Sequence, residues 1–139
     1  MAEWADRALA ATALYAALNA LVLLVLTGAT GRHRVRTRIM MGDGGDLHLV
    51  RLLRGHANAI EAMPMFFVML ATAALLGAPA FAVHAIGLPF TIGRALHALH
   101  FIQADAPAWQ RGAGFGLSFL AFIVLTVGLL AHAARLLIA

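Results

Sequence analysis

Arg51, Arg54, Asn58 and Glu61 are spaced 3, 4 and 3 residues apart, so in a helix of ~3.6 residues per turn they form one stripe. A second stripe, Arg94, His97 and Phe101, has spacings of three and four. Arg111 opens the last apolar run, where its charge adds to the partial positive charge of a helix N-terminus. The residue types suggest one kind of ligand. Guanidinium forks bind carboxylates in pairs of parallel hydrogen bonds. A lone glutamate among them suits an ammonium group, and an asparagine amide can pair with a peptide unit from both sides. A small zwitterionic peptide with two carboxylates and one amine matches that inventory.

Glutathione is the common cellular molecule of this description, and its thiol gives the site a chemistry. An arginine near the sulfur favours thiolate over thiol, because an adjacent positive charge stabilises the ionised form. The thiolate is the nucleophile in conjugation and in peroxide reduction. The chain has no cysteine of its own, so any thiol chemistry must use sulfur carried by a small molecule.

The elements that hold these residues are membrane spans. Of 139 residues, 63% are hydrophobic and 12% charged, about half the charge of a soluble domain. The mean hydropathy is +0.89. All ten basic residues besides histidine are arginines, scattered near span ends, giving a net charge of +4. That distribution fits membrane topology better than nucleic-acid binding. Ala8 to Gly31 carries no charge and is long enough to cross a ~30 Å hydrocarbon core, longer than a cleaved leader's apolar stretch. A basic connector follows, with Arg32, Arg34, Arg36 and Arg38 leading into Gly42-Asp43-Gly44-Gly45, and Asp43 or Asp46 is expected to cap the next helix. The second helix is predicted over 47–76, with Pro64 inside it. Gly77-Ala78-Pro79 reverses the chain. The third is predicted over 80–103, with Pro89 and Arg94 inside it. A connector through Asp105 and Pro107 leads to the last uncharged run, Gly112 to Ala134. The expected fold is an all-α, four-helix transmembrane bundle in one domain covering residues 1–139. Arginine bias predicts both connectors, and the polar stripe with them, in the cytoplasm and both termini outside.

The string Arg-Gly-His-Ala-Asn-Ala-Ile-Glu-Ala-Met-Pro, residues 54–64, resembles the signature of the MAPEG superfamily, the membrane-associated proteins in eicosanoid and glutathione metabolism. The pattern from Arg32 to Gly45 resembles the small bacterial inner-membrane branch. The resemblance implies a homotrimer of four-helix protomers, with glutathione held between neighbouring subunits near the cytoplasmic face. It implies that Arg54, Asn58 and Glu61 hold the tripeptide and that His56 approaches from the adjacent subunit. Arg32 or Arg34 would close the pocket, His97 and Phe101 would line it, and Arg111 would activate the thiolate. Two positions depart from the family pattern: Ala62 and Phe101 stand where relatives often carry tyrosine. The one tyrosine, Tyr15, is in the first helix, so a phenol-assisted mechanism is not expected.

Each residue also has a plainer reading. Arg51 can anchor its helix at the headgroups. Arg54, Asn58 and Glu61 can tie helices together, although such contacts contribute only about 0.6 kcal/mol each on average. Arg94 is expected to neutralise a carboxylate across the bundle, with Glu61 the candidate. His97 and His100 are three apart but lack a third ligand, so no metal is expected. His84 and His132 suit an interface or a loop end. The functional expectation is a glutathione transferase or peroxidase acting on lipophilic molecules that enter from the bilayer. Its rivals are a proton-coupled exporter built on Glu61 and a non-catalytic scaffold of the same fold.

Overall fold

A computed structural model describes residues 3–138. Met1, Ala2 and Ala139, the chain ends predicted to lie outside, fall beyond them. Among the described residues there are four helices: α1 (Glu3–Thr37), α2 (Leu47–Leu75), α3 (Ala80–Ile102) and α4 (Ala108–Ile138). Each is long and apolar enough to cross a membrane. α3 packs most extensively against α4, α1 lies on both α2 and α3, and α2 meets α4 only lightly. That loose boundary between α2 and α4 is where Arg54, Asn58, Glu61 and Arg111 gather.

The chain core is apolar and tightly interlocked. Phe66 of α2 stacks on Phe90 of α3 with centroids 3.5 Å apart and planes 5° from parallel, and both are buried. Polar pairs cross between α1 and α3: Tyr15 Oη meets His84 Nδ1 at 2.8 Å and Asn19 Nδ2 donates to Thr91 Oγ1 at 2.7 Å. His132 Nε2 donates to Leu76 O at 2.9 Å, securing the turn between α2 and α3, a loop-end placement as the sequence suggested.

α3 and α4 approach closely because Gly93 and Gly114 face each other. A Cβ added at Gly114 would lie 2.6 Å from His97 N and 2.8 Å from Gly93 O. Small residues allow this approach, and in lipid the packing it permits is the main force between helices.

The connector between α1 and α2 is shorter than expected. Arg32, Arg34 and Arg36 belong to the last turns of α1, not to a loop. Arginine is a good helix former, and the sequence offers no strong breaker between Gly31 and Gly42. The helix ends where Arg38 adopts φ 58°. Arg34 Nη1 donates to Ile39 O and Gly42 O, both at 2.9 Å, and so closes that end.

Of the two candidate caps, Asp46 is the one used: its Oδ1 accepts from Leu49 N–H at 2.8 Å. Asp43 instead accepts from Gly45 N–H, shaping the turn. Asp46 Oδ2 also accepts from His33 Nε2 at 3.0 Å, tying α2 to α1. The Leu49 amide first, then His33, hold the Asp46 carboxyl below its ordinary value of 3.8. A depressed folded-state pKa stabilises above the unfolded value and is lost as pH falls through the folded one. Thermal unfolding in detergent should therefore show an acid-side loss, beginning below about pH 4, that Asp46→Asn lacks. Identical acid profiles for the two proteins would remove Asp46 from this role.

Candidate functional site

The α2 stripe divides between structure and site. Arg51 turns to the end of α3, donating Nη2 to His100 O at 2.7 Å and Nε to Gln103 O at 3.2 Å. Those carbonyls lack helical partners, so Arg51 caps α3. Its guanidinium also lies 5.9 Å from the Phe101 ring centroid. Arg54, one turn on, is exposed and lines a cleft of about 540 Å³ together with Asn58, His97, Phe101 and Arg111. Arg111 stands in the first turn of α4, which begins at Ala108, four residues before the uncharged run. His97 is buried, and its ring lies 4.9 Å from that of Phe101. Two arginines and an amide thus converge on one hollow from α2 and α4, with α3 as its floor.

Asn58 and Phe115 also line a second cleft, of about 240 Å³, in which Glu61 and Arg94 meet Phe90, Phe119 and Phe122. The two clefts share Asn58 and Phe115, so together they form a groove between α2 and α4. Its outer end is cationic and its inner end is aromatic, with one carboxylate on the rim.

Arg94 does not neutralise Glu61. Its Nη1 donates to Asn58 Oδ1 at 2.9 Å, and its Nε and Nη2 donate to Ser118 Oγ at 3.0 and 2.7 Å. Ser118 Oγ in turn donates to Gly114 O at 2.5 Å. Arg94 is 4% exposed, and this fan of acceptors keeps a buried guanidinium satisfied while knitting α2, α3 and α4 together. Among the described residues Glu61 forms no ion pair and is exposed. Asn58 gives one lone pair of its oxygen to Arg94, which leaves the other lone pair and its two amide N–H donors to the groove.

The remaining sequence candidates lie elsewhere. His56 Nε2 is 3.1 Å from Thr27 Oγ1 on α1 of the same chain. Arg34 holds the connector, as described above. Arg32 lines a separate cleft on the α1 side of α2. His100 is held by Arg51 Nη2 at 3.3 Å and lies 3.2 Å from Pro107 O, apart from the groove. Ser118 and Gly114 were not singled out from sequence. The signal that could have found them is the small-xxx-small spacing on α4.

The sequence profile of the MAPEG family matches residues 12–131. The chain is also 36% identical over 86 residues to the inner membrane protein YecN of Escherichia coli strain K12, and equally to YecN of strain CFT073. Those alignments cover 62% of this chain and 66% of each relative, just under two thirds of their length. With four membrane-crossing helices and a family profile that runs from α1 to α4, the chain belongs to the MAPEG family.

Proposed function

We propose that this protein is a glutathione-dependent enzyme of the bacterial inner membrane, transferring glutathione to lipophilic electrophiles or reducing lipid hydroperoxides. The observation that carries the reading is the single groove lined by Arg54, Asn58, Glu61, His97, Phe101 and Arg111. Arg54 and Arg111 supply forks for the tripeptide's carboxylates or its thiolate, Asn58 donates to a peptide carbonyl, and Glu61 takes the ammonium. Arg111, at the start of α4, stabilises the thiolate through its own charge and the helix end behind it. In conjugation, the thiolate forms a carbon–sulfur bond as the electrophile's leaving group departs with its electron pair. In peroxide reduction, the thiolate attacks the distal oxygen to give a sulfenic acid while the alkoxide leaves and takes up a proton, and a second glutathione then forms the sulfur–sulfur bond and releases the sulfenic oxygen as water. The aromatic inner end of the groove receives the lipophile sideways from the bilayer.

The same reading accounts for charge on the surface of a single chain. Arg54, Glu61 and Arg111 are all exposed on spanning helices. A charge left facing lipid costs roughly 2.5–3.5 kcal/mol near the centre of a span. A homotrimer would cover these residues at subunit boundaries, where His56 of one copy completes a neighbour's site. The arginine bias of the connectors supports a groove that faces the cytoplasm. Proton exchange at Glu61 is the weaker alternative, because Arg94 lines the same cleft and opposes a cationic cargo.

Titration calorimetry with glutathione, followed by assays with an aryl halide and with cumene hydroperoxide, tests the proposal. Binding with turnover supports the enzyme. Binding without turnover would leave a scaffold, and proton release on adding a cationic dye, without glutathione binding, would favour the exporter. Glu61→Gln should weaken glutathione binding about tenfold, the effect of losing one charge-assisted contact. Unchanged affinity would mean that the ammonium is held elsewhere.

A further inference from the structure

Across α2 from the groove lies a second cleft, of about 340 Å³, which shares no lining residue with it. Arg32, His33 and Arg36 of α1 and His48 of α2 line it, over an apolar floor of Leu52 and Ile102. The two arginines are one turn apart and both are exposed. Among the described residues neither forms an ion pair with a carboxylate. The acid closest in the network, Asp46, is already engaged by Leu49 N–H and His33. His33 extends that chain: its Nδ1 faces Arg36 Nη2 at 3.4 Å while its Nε2 meets Asp46. Arg36 donates there, so His33 accepts on Nδ1 and donates from Nε2. Arg36 is therefore braced from behind, by a relay anchored at the N-terminus of α2. His48 lies edge-on to His33 with centroids 4.7 Å apart and donates Nε2 to Ile102 O at 3.0 Å, so α3 fixes the opposite wall.

The surroundings place this cationic mouth at the edge of the bilayer. Val35, Met40, Met41 and Leu47, at the same end of the bundle, are 64–89% exposed. Such side chains at the end of a span sit among headgroups and upper acyl carbons. Basic pockets between helices at that height recognise lipid phosphates. We propose that this cleft binds the phosphodiester headgroup of an anionic membrane lipid. Arg32 and Arg36 clasp its phosphate oxygens, and Ile102, half-buried over the buried Leu52, meets the glycerol and first acyl carbons.

The test uses full-length protein in a mild detergent, incubated with phosphatidylglycerol or phosphatidylcholine, with retained lipid counted by native mass spectrometry. Phosphatidylglycerol should be retained and phosphatidylcholine not, and Arg36→Gln should lower retention about tenfold, the loss of one charge-assisted contact. Arg32→Gln serves as a second exposed variant, and an unchanged thermal unfolding midpoint without lipid certifies that each is folded. Equal retention of the two lipids, or undiminished retention in both variants, overturns the proposal. Displacement by millimolar inorganic phosphate would make the ligand a soluble anion instead. Displacement by glutathione would give these arginines to a neighbouring copy's tripeptide site, and either result also overturns the lipid assignment.

Discussion

Gly114→Val is expected to cost the protein about 3 kcal/mol or more, enough to lower its unfolding midpoint sharply in detergent. The new side chain would begin 2.6 Å from His97 N, 2.8 Å from Gly93 O and 2.9 Å from His97 Cα. These are backbone atoms of a packed helix and cannot rotate aside. α3 and α4 must separate, and the separation draws Ser118 away from Arg94, leaving a buried guanidinium short of acceptors. Gly116 gives the internal control. It lies two residues further on, and a Cβ there meets nothing within 4 Å, so Gly116→Val should melt close to wild type. If both variants lost stability equally, helix propensity rather than the α3–α4 contact would explain the loss.

Arg111→Ala should lower turnover by about a hundredfold or more, the range seen when one preorganised electrostatic donor is removed, while glutathione still binds through Arg54, Asn58 and Glu61. The physical reason is the ionisation of the bound thiol. Without a neighbouring cation less thiolate exists at neutral pH, so the variant's residual rate should climb with pH over a range where wild type is flat. Arg111→Lys should recover part of the rate because it restores the charge without the fork. Rate measurements across pH 6–9, alongside calorimetric affinities, check both statements. A variant with normal turnover and weakened binding would recast Arg111 as a carboxylate clamp and move the activating group elsewhere.

The spans could be read from the chain because runs as long and uncharged as Ala8–Gly31 have few alternatives to crossing a bilayer. The cluster of Arg54 and Asn58 was visible for a local reason, since residues three and four apart share a helix face whatever the tertiary fold. Arg51 shows where that logic ends. Its spacing puts it on the same stripe, but a long, flexible arginine near unsatisfied carbonyls turns to them, and only the packing of α3 reveals that they are within reach. The pairing of Arg94 failed similarly. Glu61 was the obvious countercharge by type, yet neutral Asn58 and Ser118 supply three acceptor contacts, and Ser118 lies in an apolar run that offered no chemical reason to be noticed. The end of α1 is hard to read from sequence because a run of charge marks a loop and a helix end alike, and arginine readily continues a helix past the membrane edge.

If lipophiles enter the slack seam between α2 and α4 as proposed, the seam changes what concentration means for this protein. A solute arriving sideways is presented to the groove at its mole fraction among lipids, and the aqueous level matters only through partitioning. For a solute held almost wholly in lipid, diluting the vesicles with water leaves saturation untouched, whereas adding inert lipid lowers it, as in any two-dimensional solution.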